Sequence, residues 1–267
     1  RHLIGSPVVR KVSFTGSVPV GKQLLKLCAD GVKKVSMELG GHAPVIVFED
    51  ADPVAAAQMA ATAKFRNCGQ VCISPSRFFV HDSIKEPFGE AFANYAKGLK
   101  IGHGLEDGTT IGPLANRRGL EHAESLVADA RERGAKLLTG GERPSEMNAG
   151  YYYAPTVLAD VPVDARIMTE EPFVPVAPIT PFQGFDEVME RANAVPFGLA
   201  GYIFTNSLKT ATLASEAMEA GMIGVNEVLL ASAEAPFGGI KESGLGREGG
   251  TLGIQDYLEA KYIKTRL

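Results

Sequence analysis

Cys72 is the residue whose type and setting best suit covalent chemistry. It lies in the segment Asn67-Cys-Gly-Gln-Val-Cys-Ile73, after a predicted helix and before a predicted strand. The glycine in this segment lets the backbone approach a ligand closely, so a thiol here is a candidate nucleophile. An isolated cysteine is more often a small buried hydrophobic residue. Spacing alone leaves both interpretations open and favours burial.

The other two cysteines, Cys28 and Cys68, are interpreted as packing residues. Cys68 precedes Cys72 by four residues, but two thiols without a nearby histidine do not make a metal site, and we predict none. Three cysteines in a chain of this length also argue against a disulfide framework. The odd count therefore predicts at least one free thiol and a reducing compartment.

Glu38 is a second candidate, because its carboxylate ends an apolar strand pattern in Val35-Ser-Met-Glu-Leu-Gly-Gly41. Partial burial would raise the pKa of this carboxyl and suit it to general-base catalysis. An exposed position in an alternating strand is an equally good interpretation. The turn Thr15-Gly16-Ser17 opens a predicted helix and is a possible phosphate seat, although it is not the usual dinucleotide fingerprint.

Alternating strands and helices must position these residues, and the alternation predicts a mostly parallel α/β architecture. Asp52 and Pro53 form a clear helix start. The predicted strands are 12–17, 35–39, 44–48, 77–80, 136–138, 156–158, 176–180, 200–204 and 222–226. The predicted helices are 21–29, 53–65, 84–99, 116–133, 185–194 and 208–220, and the stretch 237–253 is predicted to be a loop.

Composition excludes several classes of protein. The 267 residues are 45% hydrophobic and 22% charged, as in ordinary globular proteins, and the net charge is −4. No block of basic residues predicts binding to nucleic acid, and no apolar run is long enough to span a membrane. We therefore expect a soluble, cytoplasmic protein without nucleic-acid or membrane partners.

Eight short motifs occur in an order that resembles the aldehyde dehydrogenase superfamily, and they span nearly the whole chain. Within the superfamily, residues 170–179 and 253–262 are most similar to succinate-semialdehyde dehydrogenases. The motifs are Phe14-Thr-Gly-Ser17, Met37-Glu-Leu-Gly-Gly41, Gly69-Gln-Val-Cys72, Ile111-Gly-Pro113, Glu170-Glu-Pro-Phe173, Phe197-Gly-Leu199, Pro236-Phe-Gly-Gly-Ile-Lys-Glu-Ser-Gly244 and Gly246-Arg-Glu-Gly249.

The resemblance implies NAD(P)-dependent oxidation of an aldehyde, in which Cys72 attacks the aldehyde carbon and Glu38 activates water to hydrolyse the thioester. The backbone N–H of Cys72 would be one oxyanion donor. Arg66 matches an arginine that grips the substrate carboxylate, which predicts succinate semialdehyde or a similar substrate. The resemblance implies cofactor-binding roles for Gly16, Ser17, Gly21, Leu39, Glu171 and Phe173, and substrate-binding roles for Arg66 and Phe237. A serine that helps to hold the substrate carboxylate in the relatives falls on Ala231, so Ser232 beside it is a displaced candidate for this contact.

The resemblance also implies a domain organisation. Residues 1–41 would form the back half of a dinucleotide-binding domain, residues 42–237 a complete α/β catalytic domain, and residues 238–267 a bridging segment and tail. The apolar alternation at 257–263 predicts a strand that pairs with another sheet in a homo-oligomer, a dimer or a tetramer.

Some features of the family have no counterpart in this chain. The second oxyanion donor and the lysine that grips the adenosine ribose lie upstream in the family, so we expect this chain to be part of a longer protein and to be inactive alone. Val174 replaces a usual glycine, which makes the local turn uncertain, and Ser74 replaces a cysteine of redox-regulated relatives. Two alternatives remain: a non-catalytic module that needs a partner, and a thiol hydrolase that uses one of the five histidines.

Overall fold

The computed structural model describes residues 2–147 and 149–267. The strands are β1 Lys11–Thr15, β2 Lys34–Glu38, β3 Ala43–Val47, β4 Pro75–His81, β5 Lys136–Thr139, β6 Thr156–Ala159, β7 Val176–Phe182, β8 Phe197–Gly198, β9 Ala200–Phe204, β10 Met222–Val225, β11 Ile240–Lys241 and β12 Gly244–Leu245. The helices are α1 His2–Gly5, α2 Val18–Ala29, α3 Pro53–Phe65, α4 Lys85–Lys97, α5 Arg117–Glu132, α6 Arg166–Thr169, α7 Phe185–Asn193, α8 Leu208–Ala217 and α9 Gly250–Gln255.

A small sheet has the order β1-β2-β12, and the first two of these strands lie at the beginning of the described chain. β1 and β2 are parallel and joined by α2, and Thr15 is the register partner of Glu38. The chain returns to this sheet much later, where β12 pairs antiparallel with β2 and places Gly244 opposite Glu38. Glu38 therefore lies at the carboxyl end of the central strand, flanked on both sides.

A seven-stranded sheet of order β10-β9-β3-β4-β7-β6-β5 holds the main core. Its pairs are parallel except for β5 with β6. All five residues of β3 are buried, as expected for a central parallel strand covered on both faces. Aromatic rings of the helices pack onto the sheet, with the Phe78 and Phe92 centroids 5.0 Å apart.

The two sheets meet at opposite ends of their strands. Glu38 ends β2 in the small sheet, and β3 of the large sheet begins at Ala43. The segments that precede β4 and β7 carry Cys72 and Phe173. The candidate residues are thus gathered between the carboxyl edge of the small sheet and the amino edge of the large one.

The predicted α/β class with a mostly parallel sheet is confirmed, and Val12 to Thr15 is a strand. The helix predicted from Gly21 begins at Val18, because Ser17 takes the N-cap position and proline is compatible with the first turn. The helix predicted to reach Ala220 ends at Ala217. Asn193 causes this early end, since its side chain bonds the Ala217 carbonyl and the Glu219 N–H.

The predicted loop 237–253 was wrong in part, since it contains β11, β12 and the beginning of α9. Two-residue strands are too short to show periodicity in a glycine-rich sequence. The tail 257–263 is not a strand in the single chain, and its pairing with another sheet stays a prediction. The predicted domain boundaries also stay a prediction. No helix within the described residues is long and apolar enough to cross a membrane.

Gly244 tests the return of the chain to the small sheet. It has a φ of 146°, and a Cβ there would overlap the carbonyl group of Met37. We expect Gly244→Ala to detach β12, lower the free energy of unfolding by about 2 kcal/mol or more, and expose residues 238–267 to protease.

Denaturant unfolding and limited proteolysis measure this effect. Gly104→Ala is the control, because a Cβ at Gly104 meets nothing within 4 Å. If the two variants were equally stable and equally resistant to protease, the β12 pairing would be refuted.

Candidate active site

The loop that carries Cys72 begins where α3 ends. Asp52 caps α3 by accepting hydrogen bonds from the N–H groups of Val54 and Ala55. Beyond the helix, Asn67, Cys68 and Gly69 have φ values of 49°, 58° and 74°. Three consecutive residues in the left-handed region are unusual, and Asn67 and Cys68 carry a Cβ that disfavours this conformation sterically. The backbone that leads to Cys72 is therefore strained, and contacts with neighbouring residues must stabilise it.

Gln70 supplies part of that support. Its side-chain oxygen accepts a hydrogen bond of 2.9 Å from the Ala115 N–H, and its amide nitrogen donates to the Asn67 carbonyl at 3.1 Å. The Asn67 side chain donates back to the Gln70 carbonyl at 2.9 Å. These bonds tie the loop to itself and to the segment before α5.

Cys72 is half-buried, and burial raises the pKa of its thiol. The nearby carboxylates of Glu38 and Glu171 raise this pKa further, whereas the backbone N–H groups of Ile73 and Cys72 lower it. A thiol with a raised pKa is mostly protonated at neutral pH. Its reaction as a nucleophile therefore requires a base or a favourable local donor.

Glu38 has the properties of a general base. The residue is 5% exposed, and Oε2 has no hydrogen-bond partner among the described residues. Burial and, to a smaller extent, the neighbouring Glu248 raise the pKa of its carboxyl, Arg247 opposes them, and the resulting pKa is about 7. A pKa near the working pH is the optimum for general-base catalysis. The predicted burial of Glu38 is confirmed, and the exposed alternative was wrong.

Two glycines bring Glu171 and Cys72 close to the segment that follows Glu38. The Gly41 N–H donates to Glu171 Oε1 at 3.1 Å. A Cβ on Gly40 would overlap the Glu171 carboxylate, and a Cβ on Gly41 would lie 2.6 Å from the Cys72 carbonyl oxygen. Neither position has room for a side chain. The three candidate groups thus converge around one stretch of backbone.

The turn predicted as a phosphate seat lies beside this site. The Gly16 N–H donates to the Glu38 carbonyl at 3.0 Å. Ser17 is the N-cap of the 12-residue α2, and its side chain makes no capping bond. Gly21, one turn into the helix, packs against Leu39 so closely that a Cβ would collide with it. The free hydroxyl and the helix N-terminus are chemically compatible with a phosphate group.

Glu171 and Phe173 line a cleft of about 400 Å³ together with Gln70, Asn116 and His122. Phe173 is 45% exposed and has a φ of 48°. The left-handed residue is therefore Phe173, and the fully buried Val174 does not need the conformation that glycine provides. The turn tolerates valine at 174, and the exposed ring of Phe173 lines the cleft.

The three candidate substrate-binding residues, Arg66, Phe237 and Ser232, differ in burial and lie on different segments of the chain. Arg66 is exposed at the end of α3, and it takes part in no ion pair among the described residues. Phe237 is half-buried and precedes Gly238, where a Cβ would lie 2.9 Å from Glu38 Oε1. Ser232 lies in an exposed loop, and its side chain bonds the Glu234 carboxylate.

Tyr202 and Arg247 were not predicted as site residues, although Arg247 lies in one of the eight motifs. Tyr202 Oη donates a hydrogen bond of 2.6 Å to the carbonyl of Ile73, next to the nucleophile. Arg247 Nη1 donates to the carbonyls of Gly239 and Gly246, beside Glu38. A polar ring within the apolar strand Ala-Gly-Tyr-Ile-Phe was the available signal for Tyr202.

Comparison with known proteins establishes the family. The model of the aldehyde dehydrogenase family matches residues 1–263. The chain belongs to the aldehyde dehydrogenase family.

Two curated relatives are similar over 98% of the chain. A 3-sulfolactaldehyde dehydrogenase of Pseudomonas putida is 49% identical over 261 residues, which are 53% of that protein. An NADP(+) succinate-semialdehyde dehydrogenase of Escherichia coli is 45% identical over 262 residues, which are 54% of that protein. A crystal structure of an E. coli NADP-dependent enzyme superposes with a TM-score of 0.95 at 45% identity, covering 98% of this chain and 54% of that one. This dehydrogenase-family chain therefore spans about half the length of the curated relatives it matches.

The raised pKa of Glu38 has a consequence for stability. A carboxyl whose pKa rises from 4.5 to about 7 on folding destabilises the folded state once it ionises. The cost is absent below pH 4.5, grows through pH 7, and reaches at most about 3 kcal/mol. We expect the free energy of unfolding of Glu38→Gln, relative to that of the wild type, to be higher at pH 8.5 than at pH 4.5.

Denaturant unfolding of the chain at both pH values measures this gain, with Glu90→Gln on the exposed side of α4 as the control for loss of a surface carboxylate. If the stability difference between Glu38→Gln and wild type were the same at pH 4.5 and pH 8.5, folding would not raise the pKa of Glu38.

Proposed function

We propose that this chain is the catalytic part of an NAD(P)-dependent dehydrogenase that oxidises a short aldehyde with a terminal anionic group to the corresponding acid. The observation that carries the proposal is the convergence of Cys72, Glu38 and Glu171 around Gly40 and Gly41. The half-buried thiol supplies a nucleophile, and the carboxyl with a pKa of about 7 supplies a base that can activate water.

Cys72 Sγ forms a bond to the aldehyde carbon and gives a thiohemiacetal, while the proton of the thiol passes to a base and the aldehyde oxygen is protonated. The backbone N–H of Cys72 stabilises the oxyanion during this attack. NAD(P), held by the cofactor-binding residues named below, would supply the acceptor for the hydride of the thiohemiacetal carbon. Loss of the hydroxyl proton completes the thioester on Cys72.

Hydrolysis of the thioester is assigned to Glu38. Its ionised carboxylate accepts a proton from water as the water oxygen attacks the thioester carbon, and the Cys72 thiol is the leaving group. The acid product then departs. Because the pKa of Glu38 is about 7, this step should become faster as pH rises through neutrality.

Residues on both sheets would hold the cofactor. Gly16 and Ser17 would contact the pyrophosphate at the N-terminus of α2, and Gly21 and Leu39 would shape that seat. Glu171 and Phe173 would hold the nicotinamide ribose and ring in the cleft that they line. Whether NAD or NADP is used stays open in this proposal.

Arg66 carries the proposed substrate specificity. Its guanidinium is exposed and close enough to the Tyr202 hydroxyl beside Cys72 to lower that group's pKa. A carboxylate a few carbons from the aldehyde could pair with it. The named substrates of the two relatives, sulfolactaldehyde and succinate semialdehyde, are both short anionic aldehydes. We favour succinate semialdehyde, with glutarate and 2-oxoglutarate semialdehydes as alternatives.

Phe237 and Ser232 have smaller proposed roles. Phe237 would form an apolar wall near Glu38. Ser232 already bonds Glu234, whose negative charge would repel a substrate carboxylate. Arg66 is therefore the stronger anchor.

The quaternary structure and the compartment are also proposals. Tyr257, Leu258, Tyr262 and Ile263 in the tail are large and exposed, which supports its burial in a homo-oligomer. All three cysteines are free, which supports a reducing compartment such as the cytoplasm.

A thiol hydrolase is less well supported. His42 follows the Glu38 segment, but it is buried, and its Nδ1 pairs with Ser76 Oγ at 2.8 Å. Burial and the nearby Arg77 hold the pKa of His42 well below its usual range. Such a ring is not available to take a proton from Cys72.

A non-catalytic module is the other alternative. We expect an assay of the 267 residues alone to show negligible turnover, and measurable oxidation of an aldehyde by them would exclude this alternative.

Glu38→Gln separates acylation from hydrolysis. In the protein that contains this chain, we expect one equivalent of reduced cofactor per site in a burst, followed by a steady state at least a hundredfold slower than wild type, because the thioester forms but water is not activated. Stopped-flow absorbance of the reduced cofactor measures both phases.

Cys72→Ser is the control, since a neutral alcohol should give neither burst nor turnover. A normal steady state in Glu38→Gln would remove Glu38 from the base role.

Arg66→Ala tests the substrate class. A hydrogen bond to a charged group contributes about 1.5 to 3 kcal/mol, so kcat/KM for succinate semialdehyde should fall roughly ten- to a hundredfold. An uncharged aldehyde of equal length should be nearly unaffected, and so should the exposed control variant Arg131→Ala with either substrate. Equal losses with charged and uncharged aldehydes would make Arg66 structural.

A further inference from the structure

The loop from Arg66 to Ile73 is strained and is supported from two sides. Gln70 ties one side to the segment before α5. On the other side, the Tyr202 hydroxyl donates to the Ile73 carbonyl at 2.6 Å. Tyr202 is 1% exposed, so this hydrogen bond is formed away from water, where an unmade bond would be costly.

Tyr202 reaches the loop from a distant part of the chain. It lies on β9, in register with Val45 of β3, and β3 separates β9 from β4. Ile73 precedes β4 by two residues. The tyrosine side chain therefore links the nucleophile loop to a strand on the far side of β3.

The peptide groups of Ile73 join Tyr202 to the nucleophile. The Ile73 N–H lowers the pKa of the Cys72 thiol, and the carbonyl of the same residue accepts the Tyr202 bond. Burial, Glu38 and Glu171 act on the thiol in the opposite direction. Burial and Cys72 raise the pKa of Tyr202, whereas Arg66 lowers it, so both residues act on the phenol electrostatically.

We propose that Tyr202 is a positioning residue that holds Ile73 so that its N–H stabilises the Cys72 thiolate, and that fixes the loop between Cys72 and Arg66. The second part of the inference rests on the proposed function. Packing alone does not explain the residue, because phenylalanine would fill the same volume without placing a hydroxyl in the core.

The test is alkylation of Cys72 by iodoacetamide between pH 6 and pH 10, followed by peptide mass spectrometry of the native chain. Loss of one hydrogen bond in Tyr202→Phe should slow alkylation at pH 8 roughly three- to tenfold and move the pH midpoint upward. Cys28 and Cys68 are buried, so their lack of modification shows that the variant is folded.

Tyr153→Phe is a matched control. Tyr153 is also 1% exposed, and its hydroxyl has no partner among the described residues. We expect this variant to alkylate as wild type does. A Tyr202→Phe variant that alkylates at the wild-type rate throughout the pH range would overturn the proposal.

Kinetics of the protein that contains this chain provide a second readout. Tyr202→Phe should lower kcat by a similar factor for succinate semialdehyde and for an uncharged aldehyde, unlike Arg66→Ala. An unchanged kcat would contradict the positioning role. If the wild type oxidised no aldehyde, the proposed function would fail, whereas the alkylation profile would still decide the role of Tyr202.

Discussion

The close approach of the backbone at Gly40 and Gly41 to Glu171 and Cys72 is the constraint on which the site depends. The Gly41 N–H bonds the Glu171 carboxylate, and the Cys72 carbonyl lies where a Cβ on Gly41 would be. This contact joins the carboxyl edge of the small sheet to the amino edge of the large one. A larger residue at position 40 or 41 would move Cys72 away from Glu38 at the end of β2.

Burial gives this junction its chemistry. Burial raises the pKa values of Glu38, Glu171 and the Cys72 thiol, and the two carboxylates raise that of the thiol further. At Glu38, Glu248 adds to the effect of burial and Arg247 offsets part of it. The result is a carboxyl that changes charge near neutral pH beside a thiol that remains protonated without help. Backbone N–H groups and the support of a strained loop then decide how readily the thiolate forms.

Much of the fold follows from local sequence, and part of the site does not. The alternation of apolar strands and helices predicts the large sheet, and Asp52 with Pro53 predicts the beginning of α3. The motif around Cys72 marks this residue as the proposed nucleophile only because the motif resembles that of a family. The antiparallel return at Gly244 depends on a pairing across more than two hundred residues. The Tyr202 bond likewise joins distant strands, and no local pattern marks either contact.

Direct detection of the acyl intermediate tests the central claim, which is that Cys72 carries the acyl group and Glu38 directs its hydrolysis. Glu38→Gln protein containing this chain would be incubated with succinate semialdehyde and oxidised cofactor, quenched in acid, and analysed by peptide mass spectrometry. The account predicts a succinyl thioester on the Cys72 peptide, in higher yield than in wild type. Turnover by this family member with no adduct on Cys72, or an adduct on another residue, would contradict it.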